Sequence, residues 1–309
     1  MNRVKISGVL PVILTPWDEA FDIHEDDFAR QVRYCGQVGA DGIVIGQVSE
    51  LLRMNQRERH RITDLAVQHG KAVGSVIVST GAESTRNAIE YSLYAQSAGA
   101  DAVLLMHPVS TALTEERMHK YYSDVIRQLD IPVMVHHAKS YARIPMTIEM
   151  QARLVREFGP ERVLFKPESA PLPPRHTELL AATGGTARIF EGDGGMMLID
   201  SFHRGLAGTI PATDCVRFVV KLWDALKGQR FEEAQRIAYP LAYMMCQMMN
   251  SVDCYQSLAK HILWKKNLIT YPRVREPLDY VPDARTLAEV ERIVGVLDGV
   301  CNSIEETRR

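Results

Sequence analysis

Cysteine, charge of one sign and long apolar runs are all scarce in this chain, and each shortage removes a class of function. Five cysteines in 309 residues (Cys35, Cys215, Cys246, Cys254, Cys301) are odd in number, scattered and never spaced as CxxC. That pattern supports neither a disulfide framework nor a cysteine metal site, and it points to a reduced, cytoplasmic protein. No HxH or HExxH pair occurs, so no metal is expected from the histidines either. Lys plus Arg is 36 and Asp plus Glu is 38, a formal charge of −2. This balance gives no counterion-release term and argues against nucleic acid or anionic lipid as the main partner. No run approaches the ~20 apolar residues that a membrane span requires. The early apolar segment is broken by Pro11 and followed by Pro16, Asp18 and Glu19 rather than by a small-residue cleavage site, so no export signal is expected. Neither GxGxxG nor GxxxxGK[ST] follows that segment, which removes the usual nucleotide cradle.

What is present is an ordinary globular mixture, 46% hydrophobic and 24% charged. Short apolar runs alternate with longer amphipathic stretches at a period of roughly 25–35 residues, the spacing of βα units. The runs at 9–15, 42–46, 72–79, 102–106, 132–137, 163–166, 187–190 and 207–210 predict strands. Helices are expected near 25–38, 55–69, 83–98, 114–128, 147–157, 174–183, 195–204 and 213–226. Gly39-Ala40 and Gly99-Ala100 each read as a helix stop leading directly into a strand. The strand runs are continuously apolar, as parallel strands covered on both faces must be. Eight such units in about 225 residues predict an α/β fold, the (β/α)8 TIM barrel, over an open doubly wound sheet. Beyond 226 only helices are expected, near 230–249, 253–267 and 285–300. The chain thus divides into a catalytic barrel over residues 1–226 and a C-terminal helical extension over 227–309 packed on it.

Reactive groups of such a barrel project from the C-terminal ends of its strands. Lys166 ends the apolar run Val163-Leu164-Phe165, surroundings that favour an uncharged, nucleophilic amine able to form a Schiff base with a carbonyl. Glu168, two residues on, points to the same side in extended backbone and could move protons for that amine. A lysine reaching solvent, or a plain ion pair, would give the same residues. His136-His137 ends the fifth strand, where period two sends one ring inward and the other outward. Glu191-Gly192-Asp193-Gly194-Gly195 follows the seventh strand; glycine there admits a substrate to the backbone, and the amides opening a helix suit an anion. A tight βα turn would look the same. Ile210 ends the eighth strand and faces the same mouth. The methionine-rich stretch 243–249 reads as packing or a subunit contact, without chemistry.

Taken together, Gly8-Val9-Leu10-Pro11-Val12-Ile13-Leu14-Thr15-Pro16, Gly39-Ala40-Asp41-Gly42-Ile43, Gly99-Ala100-Asp101-Ala102-Val103, Phe165-Lys166 and Glu191-Gly192-Asp193 resemble, in order and spacing, the N-acetylneuraminate lyase/dihydrodipicolinate synthase family. The resemblance implies a cytoplasmic homotetramer of (β/α)8 class I aldolase type, without metal or organic cofactor. Its strand-six lysine, here Lys166, forms a Schiff base with a small 2-keto acid. It also implies that the backbone of Gln47, Val48 and Ser49 holds the substrate carboxylate, in a motif that reads Gly46-Gln47-Val48-Ser49-Glu50 where the family usually has Gly-Thr-Thr-Gly-Glu. The family's strand-five tyrosine is replaced by His136, and Val109-Ser110 stand where the synthases carry a Tyr-Tyr pair. Arg143 lies two places from the position of their carboxylate-binding arginine. The divergent Ser-Glu ending, the missing tyrosine and Lys166-Pro167-Glu168 are more similar to the sugar-acid dehydratase branch, especially 2-keto-3-deoxyarabonate dehydratases. The expected activity is therefore dehydration of a 2-keto-3-deoxy sugar acid, with Lys166, Glu168 and His136 at the catalytic centre and Gln47, Val48, Ser49, Gly192, Asp193 and Ile210 around the substrate. A pyruvate-dependent aldolase or dihydrodipicolinate synthase-like condensing enzyme is the rival within this chemistry. A non-catalytic barrel that binds a keto acid is the rival outside it.

Overall fold

A computed structural model describes residues 6–138 and 146–308. Within them eight parallel strands alternate with helices, and the strand order β1-β8-β7-β6-β5-β4-β3-β2 runs round a barrel. The strands are β1 (Gly8–Val9), β2 (Gly42–Ile45), β3 (Ser75–Ser79), β4 (Ala102–Met106), β5 (Val133–His137), β6 (Val163–Pro167), β7 (Arg188–Glu191) and β8 (Gly208–Thr209). Residues of β2 to β6 are all buried, which is why their sequences read as unbroken apolar runs. The helices between them are α1 (Glu25–Val38), α2 (Gln56–Gly70), α3 (Thr85–Ala98), α4 (Glu115–Ile126), α5 (Ile148–Phe158), α6 (Leu172–Ala182), α7 (Leu198–His203) and α8 (Val216–Lys227). Gly39 and Gly99 end α1 and α3 in the left-handed region, at φ 92° and 105°, as their sequence positions predict.

The first and last strands are much shorter than their apolar runs. Pro11 and Pro211 have no amide hydrogen to give a ladder, so regular pairing stops before each. The seam closes instead through scattered bonds. Val12 bridges Val44 and Ala212, the Val44 amide donates to the Pro11 carbonyl at 2.8 Å, and the Ile13 amide donates to the Val44 carbonyl at 3.0 Å.

Two helix boundaries also move. Helix α7 begins at Leu198 rather than 195, because Gly194 and Gly195 sit at φ 61° and 86° and keep the preceding turn open. Helix α6 begins earlier than 174, with proline in its first turn, where a missing amide costs no hydrogen bond. After the barrel come α9 (Phe231–Met248), α10 (Val252–Lys265) and α11 (Ala284–Thr307). The last of these runs past 300, since Gly295 and Gly299 face open space without interrupting it. No helix among the described residues is long and apolar enough to cross a membrane.

Candidate active site

Parallel pairing sets His136 of β5 directly beside Lys166 of β6, so both side chains leave the sheet on the same face. Period two then turns His137 away, where its Nε2 accepts from the Met146 amide at 3.2 Å and Ser169 lies beside the ring. Past Pro167 the chain keeps its extended course for one more bond, the Glu168 amide donating to the His137 carbonyl at 3.0 Å. Glu168 thereby returns to the side of Lys166.

The three side chains form a closed triangle. Lys166 Nζ pairs with Glu168 Oε1 and lies 3.2 Å from His136 Nε2, while His136 Nε2 lies 2.9 Å from Glu168 Oε1. Lys166 is buried, and its head meets a carboxylate and an imidazole. Burial would raise the Glu168 carboxyl; the Lys166 and His136 charges and their hydrogen bonds outweigh it and bring it down to about 2. Burial, reinforced by the Lys166 charge, lowers His136 against the opposing pull of Glu168. The His136 Nδ1 is buried without a hydrogen-bond partner among the described residues.

Gly192 is what lets Glu168 lie there. A Cβ on Gly192 would stand 2.7 Å from Glu168 Cγ and 2.8 Å from Oε1. The glycine after β7 thus makes room for a protein carboxylate, where the sequence had suggested room for a substrate.

Lys166 and Glu168 open into a cavity of about 690 Å³ counted with its mouth. Of the residues expected around the substrate, Gln47, Val48, Gly192 and Ile210 line it. Ser49 is turned away: its hydroxyl donates to the Ile13 carbonyl at 2.5 Å, and its amide donates to the Gly46 carbonyl at 3.1 Å. An amide already bonded inside its own turn is not left for a substrate carboxylate, so Ser49 shapes this loop from behind. Asp193 is also off the lining, and its charge acts instead on Glu191. Burial, with a smaller push from Asp193, raises the fully buried Glu191 carboxyl to about 8. Arg143 lies outside the described residues.

Several lining residues carried no sequence signal. Pro211 and Ala212 follow β8, and Met249, Ser251, Val252 and Tyr255 come from the end of α9 and the start of α10. The Tyr255 hydroxyl donates to Asp214 at 3.0 Å. The methionine stretch was right as packing for Met244, Met245 and Met248, which are buried, but Met249 beyond them reaches the cavity. Gln47 contributes more than backbone: its side-chain Oε1 is buried with no hydrogen-bond partner among the described residues. No group of three or more His, Cys, Asp or Glu among the described residues is placed to hold a metal ion.

Comparison with known proteins agrees with this architecture. The sequence model of the Dihydrodipicolinate synthetase family matches residues 5–297. A 4-hydroxy-tetrahydrodipicolinate synthase from Hydrogenobaculum sp. (strain Y04AAS1) is 25% identical, covering 76% of this chain and 81% of that one. An uncharacterized DapA-like lyase from Pyrococcus abyssi is 22% identical and covers 98% of this chain and 100% of its own. Among solved structures, the 4-hydroxy-tetrahydrodipicolinate synthase of Methylacidiphilum fumariolicum SolV superposes with a TM-score of 0.88 at 20% identity, over 98% of this chain and 99% of that one. At that identity the likeness is one of fold.

Proposed function

The chain belongs to the dihydrodipicolinate synthetase family, and from that premise we propose that it is a Schiff-base lyase that dehydrates a 2-keto-3-deoxy sugar acid. The triangle of Lys166, Glu168 and His136 carries this reading. It sets a buried amine against a carboxylate on the wall of an open cavity, with a histidine where a phenol would serve a tyrosine-dependent lyase.

Lys166 attacks the C2 ketone, and the ketone oxygen leaves as water with the two protons that the lysine nitrogen sheds, which gives an iminium facing a still ionised Glu168. The iminium draws electrons from C3, and Glu168 takes a C3 proton to give a neutral enamine. Forming the enamine removes the cation whose field holds Glu168 near 2, so the carboxyl can keep that proton until the departing C4 hydroxyl takes it as water. Hydrolysis of the iminium returns Lys166 and releases the dehydrated keto acid. The backbone of Gln47 and Val48 holds the substrate carboxylate, and this places C2 against the amine. The orphaned Gln47 Oε1 suits a substrate hydroxyl, since a buried acceptor without a donor is costly. That acceptor favours a hydroxylated acid over a bare one. No metal or organic cofactor enters these steps, and a cytoplasmic homotetramer belongs to the same reading.

Retro-aldol cleavage to pyruvate, or the reverse condensation, would use the same lysine with C3–C4 bond chemistry. The synthase names of the relatives support this second reading. Incubation with pyruvate and a panel of 2-keto-3-deoxy acids under borohydride, followed by mass spectrometry, separates the possibilities. A reduced adduct is expected on the peptide bearing Lys166 and none after Lys166→Ala. Product analysis without borohydride then shows loss of water or release of pyruvate. No label from any 2-keto acid would leave a non-catalytic binding barrel.

A further inference from the structure

The cavity has two walls from distant parts of the chain, the Gln47–Val48 turn and the start of α10, and a fully buried ion pair joins the elements behind them. Lys260 of α10 pairs with Glu50, and both side chains are wholly excluded from solvent. Every charge in the pair has a further partner. Glu50 accepts from the Trp17 indole at 3.0 Å and from the Arg275 amide at 2.7 Å, and Lys260 donates to the Arg273 carbonyl at 2.6 Å. Glu50 itself sits at φ 64°, a left-handed conformation that a residue with a side chain adopts only where its surroundings hold it. The same two elements are stitched again nearer the cavity. Arg53 reaches Asp253 at 2.7 Å and Gln256 at 3.2 Å, and Gln256 lies 3.5 Å from the carbonyl of Val48.

We infer that Glu50 and Lys260 are positioning residues: they fix the spacing between the Gln47–Val48 turn and α10 and thereby set how tightly the cavity holds a keto acid. Neither lines the cavity, and Lys166 is anchored on a different side of the barrel, so the pair acts on binding and leaves the chemistry at the amine intact. A buried pair in which each charge has a further hydrogen-bond partner is held in place, and breaking one partner leaves an uncompensated charge. The inference rests on the reading of the cavity as a keto-acid site, and the experiment separates the two.

The test uses the full chain. Lys260→Met alone strands a buried carboxylate and risks unfolding, so the main variant is Glu50→Gln with Lys260→Met, which removes both charges at similar volume. Gln256→Leu, which loses only the Gln256 contacts to Arg53 and the Val48 carbonyl, is the milder companion. Borohydride labelling of Lys166 is titrated with pyruvate, and hydrogen exchange is followed by peptide. The double variant should need at least tenfold more pyruvate for half-labelling, with an unchanged plateau. Gln256→Leu should need about threefold more. Exchange of peptides covering 46–53 and 250–260 should rise together while β4 to β6 stay protected. Unchanged half-labelling, or a lowered plateau at the same half-labelling, overturns the inference. If the double variant does not fold, the Gln256→Leu titration decides by the same criteria. If wild-type Lys166 takes no label, the lysine reading fails, and exchange alone decides: a joint rise of the two peptides supports the coupling, and separate or absent changes refute it.

Discussion

Lys166 and Glu168 show how far single residues can be read from sequence. Two-residue spacing put them on one face, and the extended bond from the Glu168 amide to the His137 carbonyl keeps them there. Period two alone allows either histidine to join them; the family resemblance points to His136, and the β5–β6 register sets His136 beside Lys166. Glu191 was not legible as a buried acid: its state depends on how β7, β8 and α7 pack around it, which no local pattern encodes. At this scale the geometry makes a sharp forecast. Glu168→Gln keeps the shape and the Lys166 amine in place while removing its ion pair, so borohydride labelling should persist while turnover falls by roughly 10²–10⁴, the usual worth of a positioned acid or base. His136→Phe should cost about tenfold, since the imidazole orients Glu168 and Lys166 without holding the C3 proton. The reverse order of losses would transfer the proton shuttle to His136.

At the scale of elements, the strands and helices of the barrel were foreseen because their periods are long and regular, and the misses fall where proline or glycine governs. Pro11 and Pro211 cut β1 and β8 to two residues each, and Gly194-Gly195 delays α7. The contribution of α9 and α10 to the cavity was invisible because an amphipathic helix announces that it packs, never against what. The turn after β7 supplies the clearest test of an element. Gly192→Ala places a methyl 2.7 Å from Glu168 Cγ, and the carboxylate must swing away. Turnover should drop at least tenfold, on the order of the loss from a misplaced acid or base, with thermal stability nearly unchanged. Crystals of the variant should show Glu168 displaced from Lys166; an undisturbed carboxylate with normal turnover would contradict this account of the turn.

For the molecule as a whole, the buried acids make stability depend on pH in a definite direction. A free glutamate titrates near 4.5, and Glu191 in the folded protein titrates at about 8. Between those values the folded state holds a proton that the unfolded chain has released, so stability falls as pH rises, by at most about 1.4 kcal/mol per pH unit. Asp214, raised by burial from 3.8 to about 6, adds to this slope in its lower half. Glu168 works the other way, losing its contribution as pH falls from 4.5 toward 2. Below about pH 6.5 the buried His137 and His176, each lowered by burial to about 4, oppose that slope, so denaturant melts at a series of pH values should show a decline from about pH 6.5 to 8 that Glu191→Gln flattens. An identical slope in that variant would mean that Glu191 is already ionised in the folded state.

The seam between the ends of the barrel has a consequence for how the chain is made. Gly8 pairs with Gly208, and Val12 is held between Val44 and Ala212. On a ribosome the first strand emerges long before its β8 partner exists, at roughly 5–20 residues per second. For that interval its apolar backbone is an unpaired edge, open to pairing with another nascent chain. Pro11 sits in the middle of that edge and denies it a regular ladder. The residue that shortens β1 in the finished barrel thus guards the same segment while it waits for β8 to arrive.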